Sequence, residues 1–425
     1  MLERLVELAI RFLVGAWVIR YLGPGQFGVY SYALSFVALF TVIATLGLDQ
    51  ITVRDLARDP DSAGDVLATA FALRAWAAVI TFGLVVGVTL LVEDDPVTRA
   101  AILIVAGQLF LHPANVLDLW FQSQVRSEFV VWTRSAVTLL VAAAQIACIL
   151  AELPLQAFLV LVLVQSAMKG LGMYACFRIA GPVDVRWRYV SRLAAGMLRD
   201  AWPLLFAGLS ISVYMRIDQV MLGMMVGVEA VGTYGAAVRV SEIWHFLPTA
   251  LAVSVFPGIV QMRSGVPADV YHRRLQALYD GMALYSYAII LVMIAGAPLV
   301  VHLLFGTAYH DSVAILRVHI WALMFVSLGT VYSRWLVAEG LAVFSMVTTI
   351  LGAVTNVALN IALIPSFEGL GAAWATVIAQ AIAAYLSTLL FRPLRPMFIR
   401  LTKALAVPFR FRAIRLSLRP ERKVE

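Results

Sequence analysis

Among the ionisable side chains that stand inside long apolar runs of this 425-residue chain, seven are candidates for function: Arg74, Asp118, Arg216, Asp218, Arg239, Glu242 and His245. A charge at the centre of a bilayer costs at least about 2.5 to 3.5 kcal/mol, so each must face a partner or a polar cavity. The carboxylates at 118, 218 and 242 have the chemistry of a proton or cation site. A guanidinium stays charged and offers a planar fork of donors, which suits an oxyanion. Arg239 and Glu242 lie three residues apart on one helical face and can equally neutralise each other. Arg216 and Asp218, two apart, point in different directions. His245 ordinarily titrates near neutral pH, although a satisfied histidine at a helix end fits it as well. Asn356 and Asn360 share a face four residues apart, and with Gln145, Gln165 and Gln380 they suit either a hydroxyl-rich ligand or hydrogen bonds between helices.

The elements that must hold these groups follow from composition. Apolar residues make up 62% of the chain and charged residues 13%, against roughly a quarter charged in soluble domains. Lipid leaves no partner for open sheet edges, so apolar runs of about 20 residues have to be helices and the fold is expected to be all-α. Candidate spans fall near 5 to 20, 27 to 48, 66 to 92, 98 to 121, 129 to 150 and 154 to 177. A second set falls near 203 to 225, 231 to 260, 282 to 305, 313 to 337, 343 to 364 and 369 to 391. This gives about twelve transmembrane helices. Pro113, Pro203, Pro248, Pro257 and Pro298 are candidate kinks. Glu3, Arg4, Glu7 and Arg11 interrupt any signal-type apolar region, so the first residues are expected to stay on the chain. Cys148 and Cys176 sit singly in apolar runs and offer neither a disulfide framework nor a metal cluster, and no cofactor is expected.

Basic residues sort the connections by side. Arg54, Arg58, Arg126, Arg178, Arg186, Arg188, Arg192, Arg199, Arg263, Arg273 and Arg274 fall in even-numbered connections. Odd-numbered ones hold the acidic Glu93-Asp94-Asp95, the short Glu152-Leu153-Pro154 and few basic residues beyond Arg20, Arg99 and Arg317. The positive-inside rule then places both termini in the cytoplasm. The turn Gly23-Pro24-Gly25-Gln26-Phe27-Gly28-Val29-Tyr30-Ser31-Tyr32-Ala33 recurs as Gly227-Val228-Glu229-Ala230-Val231-Gly232-Thr233-Tyr234-Gly235-Ala236-Ala237, with Gly, Gly, Tyr and Ala in one register. Because it recurs after six spans, the repeat is parallel, about an axis along the membrane normal. The expected organisation is a six-helix bundle over 1–178, a basic cytoplasmic linker over 179–200, a second six-helix bundle over 201–391, and a basic amphipathic cytoplasmic tail over 392–425. Interleaved Phe398, Leu401, Leu405, Phe409, Phe411 and Leu416 make that tail suited to an anionic leaflet rather than to nucleic acid. Two bundles of this kind work by rocking about a cavity.

Tyr21-Leu22-Gly23-Pro24-Gly25-Gln26-Phe27-Gly28-Val29-Tyr30, with Gly47-Leu48 and Val53-Arg54, resembles the N-terminal signature of polysaccharide-biosynthesis flippases of the Wzx type. The resemblance continues in Asp218 through Leu222-Gly223, Val231-Gly232-Thr233-Tyr234, Ala237, Glu242, Phe256-Pro257, Asn356 to Asn360 and Gly369-Leu370-Gly371-Ala372-Ala373. That group belongs to the superfamily of MATE-type multidrug exporters and lipid II flippases. It implies a MATE-like fold and transfer of an undecaprenyl-diphosphate-linked oligosaccharide, a precursor of O-antigen or exopolysaccharide, across the bacterial plasma membrane. Its partners would be membrane lipids and a downstream polysaccharide polymerase.

Under that resemblance Arg216, Arg239, Arg74 and Arg54 become headgroup contacts. Positive-inside retention alone would also explain Arg54. Asp218, Glu242 and Asp118 become ion- or proton-coupling candidates, and Asn356, Asn360 and Gln380 sugar contacts. The rival transporter is a multidrug exporter, for which buried carboxylates should outweigh cations; a lipid II flippase would carry extra C-terminal helices. A membrane glycosyltransferase or polymerase is the rival from another class, but every outer connection is short. No Gly-x-x-x-x-Gly-Lys-Ser/Thr occurs for ATP hydrolysis.

Overall fold

The computed structural model describes residues 2–180, 186–265 and 267–410. Residues 181–185 of the expected linker and 411–425 of the basic tail lie outside them. The described residues are helical with short connections and hold no strand.

The chain divides into two compact units, Met1–Gly235 with Leu304–Tyr309, and Ala236–Leu303 with His310–Glu425. The first begins with α1 (Leu2–Thr45), α2 (Leu48–Arg58), α3 (Ala63–Val92), α4 (Pro96–Ala106), a 3-10 stretch (Gly107–Asn115) and α5 (Val116–Ser123). It continues with α6 (Ser127–Leu150), α7 (Leu155–Ala180), α8 (Ser191–Met225) and the start of α9 (Val228–Glu242). The second holds the end of α9, α10 (Phe246–Gly265), most of α11 (Ala268–Phe305), α12 (Ser312–His319), α13 (Ala322–Ala338), α14 (Ala342–Ala381), α15 (Ser387–Leu390) and α16 (Arg395–Leu405).

Nine helical stretches among the described residues are long and apolar enough to cross a membrane. Two of them, Glu7–Arg58 with 52 residues and Val343–Leu390 with 48, far exceed the roughly 20 that one crossing needs. Each doubles back. Gly23 takes φ 70°, a left-handed conformation open to glycine, and Pro24 follows it, so helical hydrogen bonding cannot run through. Before this break α1 runs parallel to α6: Ser135 donates to Glu7 at 3.0 Å and Tyr21 to the Leu153 carbonyl at 2.9 Å. After it, α1 runs against α8: Ser35 donates to Gln219 at 2.6 Å and Ser212 to the Ala38 carbonyl at 3.1 Å. Short connections make α3, the α4–α5 span, α6 and α7 alternate in direction, and the Arg188–Asp65 ion pair at 2.8 Å puts the start of α8 beside the start of α3. α6 and α8 therefore point the same way, and α1 is two antiparallel spans. In α14 a Cβ on Gly371 would lie 2.5 Å from the Leu363 carbonyl oxygen. Eight residues of straight helix would separate those positions by about 12 Å, so α14 reverses as well, at Pro365–Glu368. Val228–Gly265, interrupted by a 3-10 turn at Ile243–His245, supplies one more passage. Splitting the two reversals and adding this passage brings the nine stretches to the twelve spans read from hydropathy.

The repeated motif has a packing role. A Cβ on Gly28 would fall 1.8 Å from the Val228 carbonyl oxygen, and one on Gly232 would fall 2.0 Å from that of Pro24. The two contacts are related by the offset that relates the two motifs. Within the first unit, each copy therefore lays a glycine on the backbone of the other, an approach that any side chain would block.

Elsewhere in the first unit, Leu48, Leu56, Leu67, Phe121, Phe177 and Met197 share a buried cluster drawn from α2, α3, α5, α7 and α8. In the second unit α16 buries one face. Leu394, Met397, Leu401 and Ala404 are buried, while Arg395, Ile399 and Lys403 are exposed. Arg400 donates to the His272 carbonyl at 3.0 Å and Tyr287 to the Leu405 carbonyl at 2.8 Å, which holds α16 against α11.

Candidate functional site

The charged residues of the first unit are arranged in pairs. Arg74, in the middle of α3, is only 2% exposed and forms an ion pair with Asp49 of α2, whose side chain is 62% exposed. Its Nε is buried without a hydrogen-bond partner among the described residues. Asp118 of α5 accepts from Arg134 Nη2 of α6 at 2.7 Å. Arg54 lies on α2, a helix where a plain connection was expected. It binds Asp200 at 2.8 Å and Asp55 at 2.9 Å, joining α2 to the start of α8.

Asp218 and Arg216 separate as their spacing requires. Asp218 is buried; its carboxylate accepts from the Tyr234 hydroxyl and from the Gln219 amide at 2.8 Å. The Gln219 side chain accepts from Ser31 at 3.0 Å and Ser35 at 2.6 Å. This network ties α8 to α9 and to the second segment of α1. Arg216, on the opposite face, is exposed.

The second unit holds neutral pairs alongside charged groups. Arg239 is exposed and Glu242 half-buried, and both have interaction partners. Asn360 Nδ2 donates to Asn356 Oδ1 at 3.1 Å, and both amides are buried. His319 Nδ1 lies 3.0 Å from Ser241 Oγ, and His245 keeps a buried Nε2 with no partner among the described residues. Gln380 is half-buried just ahead of a π-helical turn at Ile382–Leu386, a local widening that often accompanies function.

The structure thus brings Asp218 and Tyr234 together, and Asn356 with Asn360. It gives Arg74 and Asp118 partners that the sequence reading did not single out, Asp49 and Arg134. Lys169 and His112 were also missed. Lys169 is half-buried on α7 and faces Arg11, Arg134 and Asp118; His112 faces Arg74, Asp49 and Lys169. A lone lysine in an apolar run and a histidine beside Pro113 were the available signals. No group of His, Cys, Asp and Glu among the described residues could hold a metal ion.

This is a multi-pass membrane protein with the fold of the MATE and lipid II flippase transporters. Over 98% of its length it superposes on 93% of the lipid II flippase MurJ in an inward closed conformation, with a TM-score of 0.74 at 13% identity. An inward-facing MATE multidrug resistance transporter of the MOP superfamily matches 93% of the chain and 96% of its own, with a TM-score of 0.69 at 15% identity. Residues 3–263 match the model of the polysaccharide biosynthesis protein family, and the chain belongs to that family. A curated relative, the probable flippase AglR of Haloferax volcanii, is 29% identical over 185 residues. Those residues are 41% of this chain and span 37% of the relative.

Proposed function

We propose that this protein is a flippase that carries an undecaprenyl-diphosphate-linked oligosaccharide from the cytoplasmic to the outer leaflet of the bacterial inner membrane by alternating access. The observation that carries the reading is membership of the polysaccharide biosynthesis family combined with arginines placed inside spans, above all Arg74 and Arg216. A diphosphate needs fixed positive charge within the membrane, and guanidinium groups supply it with matching geometry. Arg216, exposed on its span, is the leading headgroup contact; Arg239, Arg74 and Arg54 are the others, Arg74 being paired with Asp49 and Arg54 with Asp200 and Asp55. Asp218, Glu242 and Asp118 are the coupling candidates, and Asn356, Asn360 and Gln380 the sugar contacts. Both termini face the cytoplasm in this reading, and the product passes to a polysaccharide polymerase.

A multidrug exporter is the second reading, because a MATE transporter shares the fold. It predicts a dominant carboxylate site, yet Asp118 is bound to Arg134 and Asp218 to Tyr234. The test is the leaflet distribution of lipid-linked oligosaccharide in host cells depleted of the protein. Inner-leaflet accumulation should be relieved by the intact protein and not by Arg216→Ala combined with Arg239→Ala. A normal distribution after depletion, with no second flippase present, would replace this reading with drug export.

A further inference from the structure

The span from Pro96 to Ser123 is not one α-helix. Its middle, Gly107–Asn115, is a nine-residue 3-10 stretch containing Pro113. Runs longer than three or four residues are uncommon in this geometry, and a 3-10 segment within a helix often marks a functional position. Two neighbours hold the stretch in place. A Cβ on Gly170 of α7 would lie 3.1 Å from the Ala114 methyl, and Phe110 packs on Phe82 of α3 with ring centroids 4.9 Å apart. These contacts set Lys169, next to Gly170, at the level of His112.

Three nitrogen-bearing side chains converge there with unused capacity. Arg74 Nε and His112 Nδ1 are buried and have no partner among the described residues. Asp118, the carboxylate facing Lys169, is committed to Arg134 at 2.7 Å. Among the described residues Asp49, on Arg74, is the acidic group facing His112, so Arg74 and Lys169 together exceed it by one positive charge before His112 is counted. Unused donors and excess positive charge at membrane depth are what an anion would complete. The exposed Asp49 side chain marks the open side of the cluster.

We propose that Arg74, His112 and Lys169 form a phosphate-type anion seat inside the first unit, and that Asp49 occupies Arg74 until the anion displaces it. This rests on the flippase reading, under which the anion is the diphosphate of the lipid carrier; a soluble phosphate anion would use the same donors. Arg74 Nε–H and the Lys169 ammonium donate to phosphate oxygens, and His112 joins them in the tautomer that carries its proton on Nδ1.

The test is calorimetric titration of the full chain in nanodiscs with a ten-carbon prenyl diphosphate and with inorganic pyrophosphate. Lys169→Gln and His112→Gln should each weaken prenyl diphosphate binding about tenfold, the loss of one charge-assisted contact. Lys169→Arg should restore it, and Asp49→Asn, which removes the competing carboxylate, should tighten it several-fold. Unfolding temperatures of the variants check that each is folded. If the intact protein and the Lys169→Gln and His112→Gln variants bind alike while Arg216→Gln does not, the seat is overturned and the flippase reading stands. Binding of pyrophosphate but not prenyl diphosphate overturns the assignment to the lipid. Binding of neither ligand removes both the seat and the headgroup reading behind it.

Discussion

The two units meet the cost of polar groups in a membrane in different ways. The first uses charges held by partners: Arg74 with Asp49, Arg134 with Asp118, and Asp218 with Tyr234. The second holds neutral pairs, Asn356 with Asn360, His319 with Ser241, and Ser286 with Ser327 at 3.0 Å, beside a buried carboxylate, Asp280, that accepts from Gln276 at 2.7 Å and lies 3.9 Å from Arg410. Neutral pairs knit helices at modest cost and gain. A charged pair costs more to bury and is weak evidence for stability in its own right.

The largest expected effect lies at the joint between the two copies of the repeat. Gly28→Ala puts a methyl within 1.8 Å of the Val228 carbonyl oxygen, and Gly232→Ala does the same to Pro24 at 2.0 Å. Neither obstacle is a flexible side-chain end. Each substitution should cost about 3 kcal/mol or more, read as a fall in unfolding temperature in detergent. Gly83→Ala, with nothing within 4 Å of its Cβ, should leave that temperature nearly unchanged. Since both contacts belong to one joint, the double variant should lose less than the sum of the singles. Full additivity would show that the two motifs are not coupled.

Next in size is a direct contrast between the units. Tyr234→Phe removes the hydroxyl that Asp218 accepts from and leaves a buried carboxylate short of a donor, a loss of about 1.5 to 3 kcal/mol. Asn356→Ala removes one amide-to-amide bond and should cost about 0.6 kcal/mol, the usual size for such bonds within membranes. Equal losses, measured by denaturant unfolding of the two purified variants, would dissolve the distinction between a bond to a carboxyl group and one between neutral amides.

Much of this arrangement was legible in the sequence. The spans were marked by apolar runs, and the repeat by the spacing of Gly23, Gly28 and Tyr30 against Gly227, Gly232 and Tyr234. The separation of Arg216 from Asp218 followed from a two-residue step on a helix. What stayed hidden depended on contacts across the bundle. Asp49 precedes Arg74 by 25 positions on a short helix that composition assigns to a connection, so nothing local announces their pairing. The 3-10 stretch lies in a run that hydropathy reads as uniform, with Pro113 its sole mark. The role of Gly28 and Gly232 was invisible for another reason: the motif looked like evidence of duplication, and only the fold shows that its copies touch.

The smallest effect lies at a surface turn outside the spans and tests charge without burial. Asp95 caps α4, with Oδ2 accepting from the Thr98 amide at 2.8 Å and the Thr98 hydroxyl at 2.6 Å. These bonds favour the ionised form and hold the carboxyl below the ordinary aspartate value of 3.8. Because the folded value is depressed, the contribution is fully present above that ordinary value and is lost as pH falls through the folded one. For so exposed a cap it amounts to about 0.5 kcal/mol. Asp95→Asn keeps an acceptor oxygen and removes the charge, so its unfolding temperature should lie slightly below that of the intact protein at pH 6. The gap should close as the pH is lowered past the folded value. A gap that persists unchanged into acid would mean that the shape of the cap, rather than its charge, secures the start of α4.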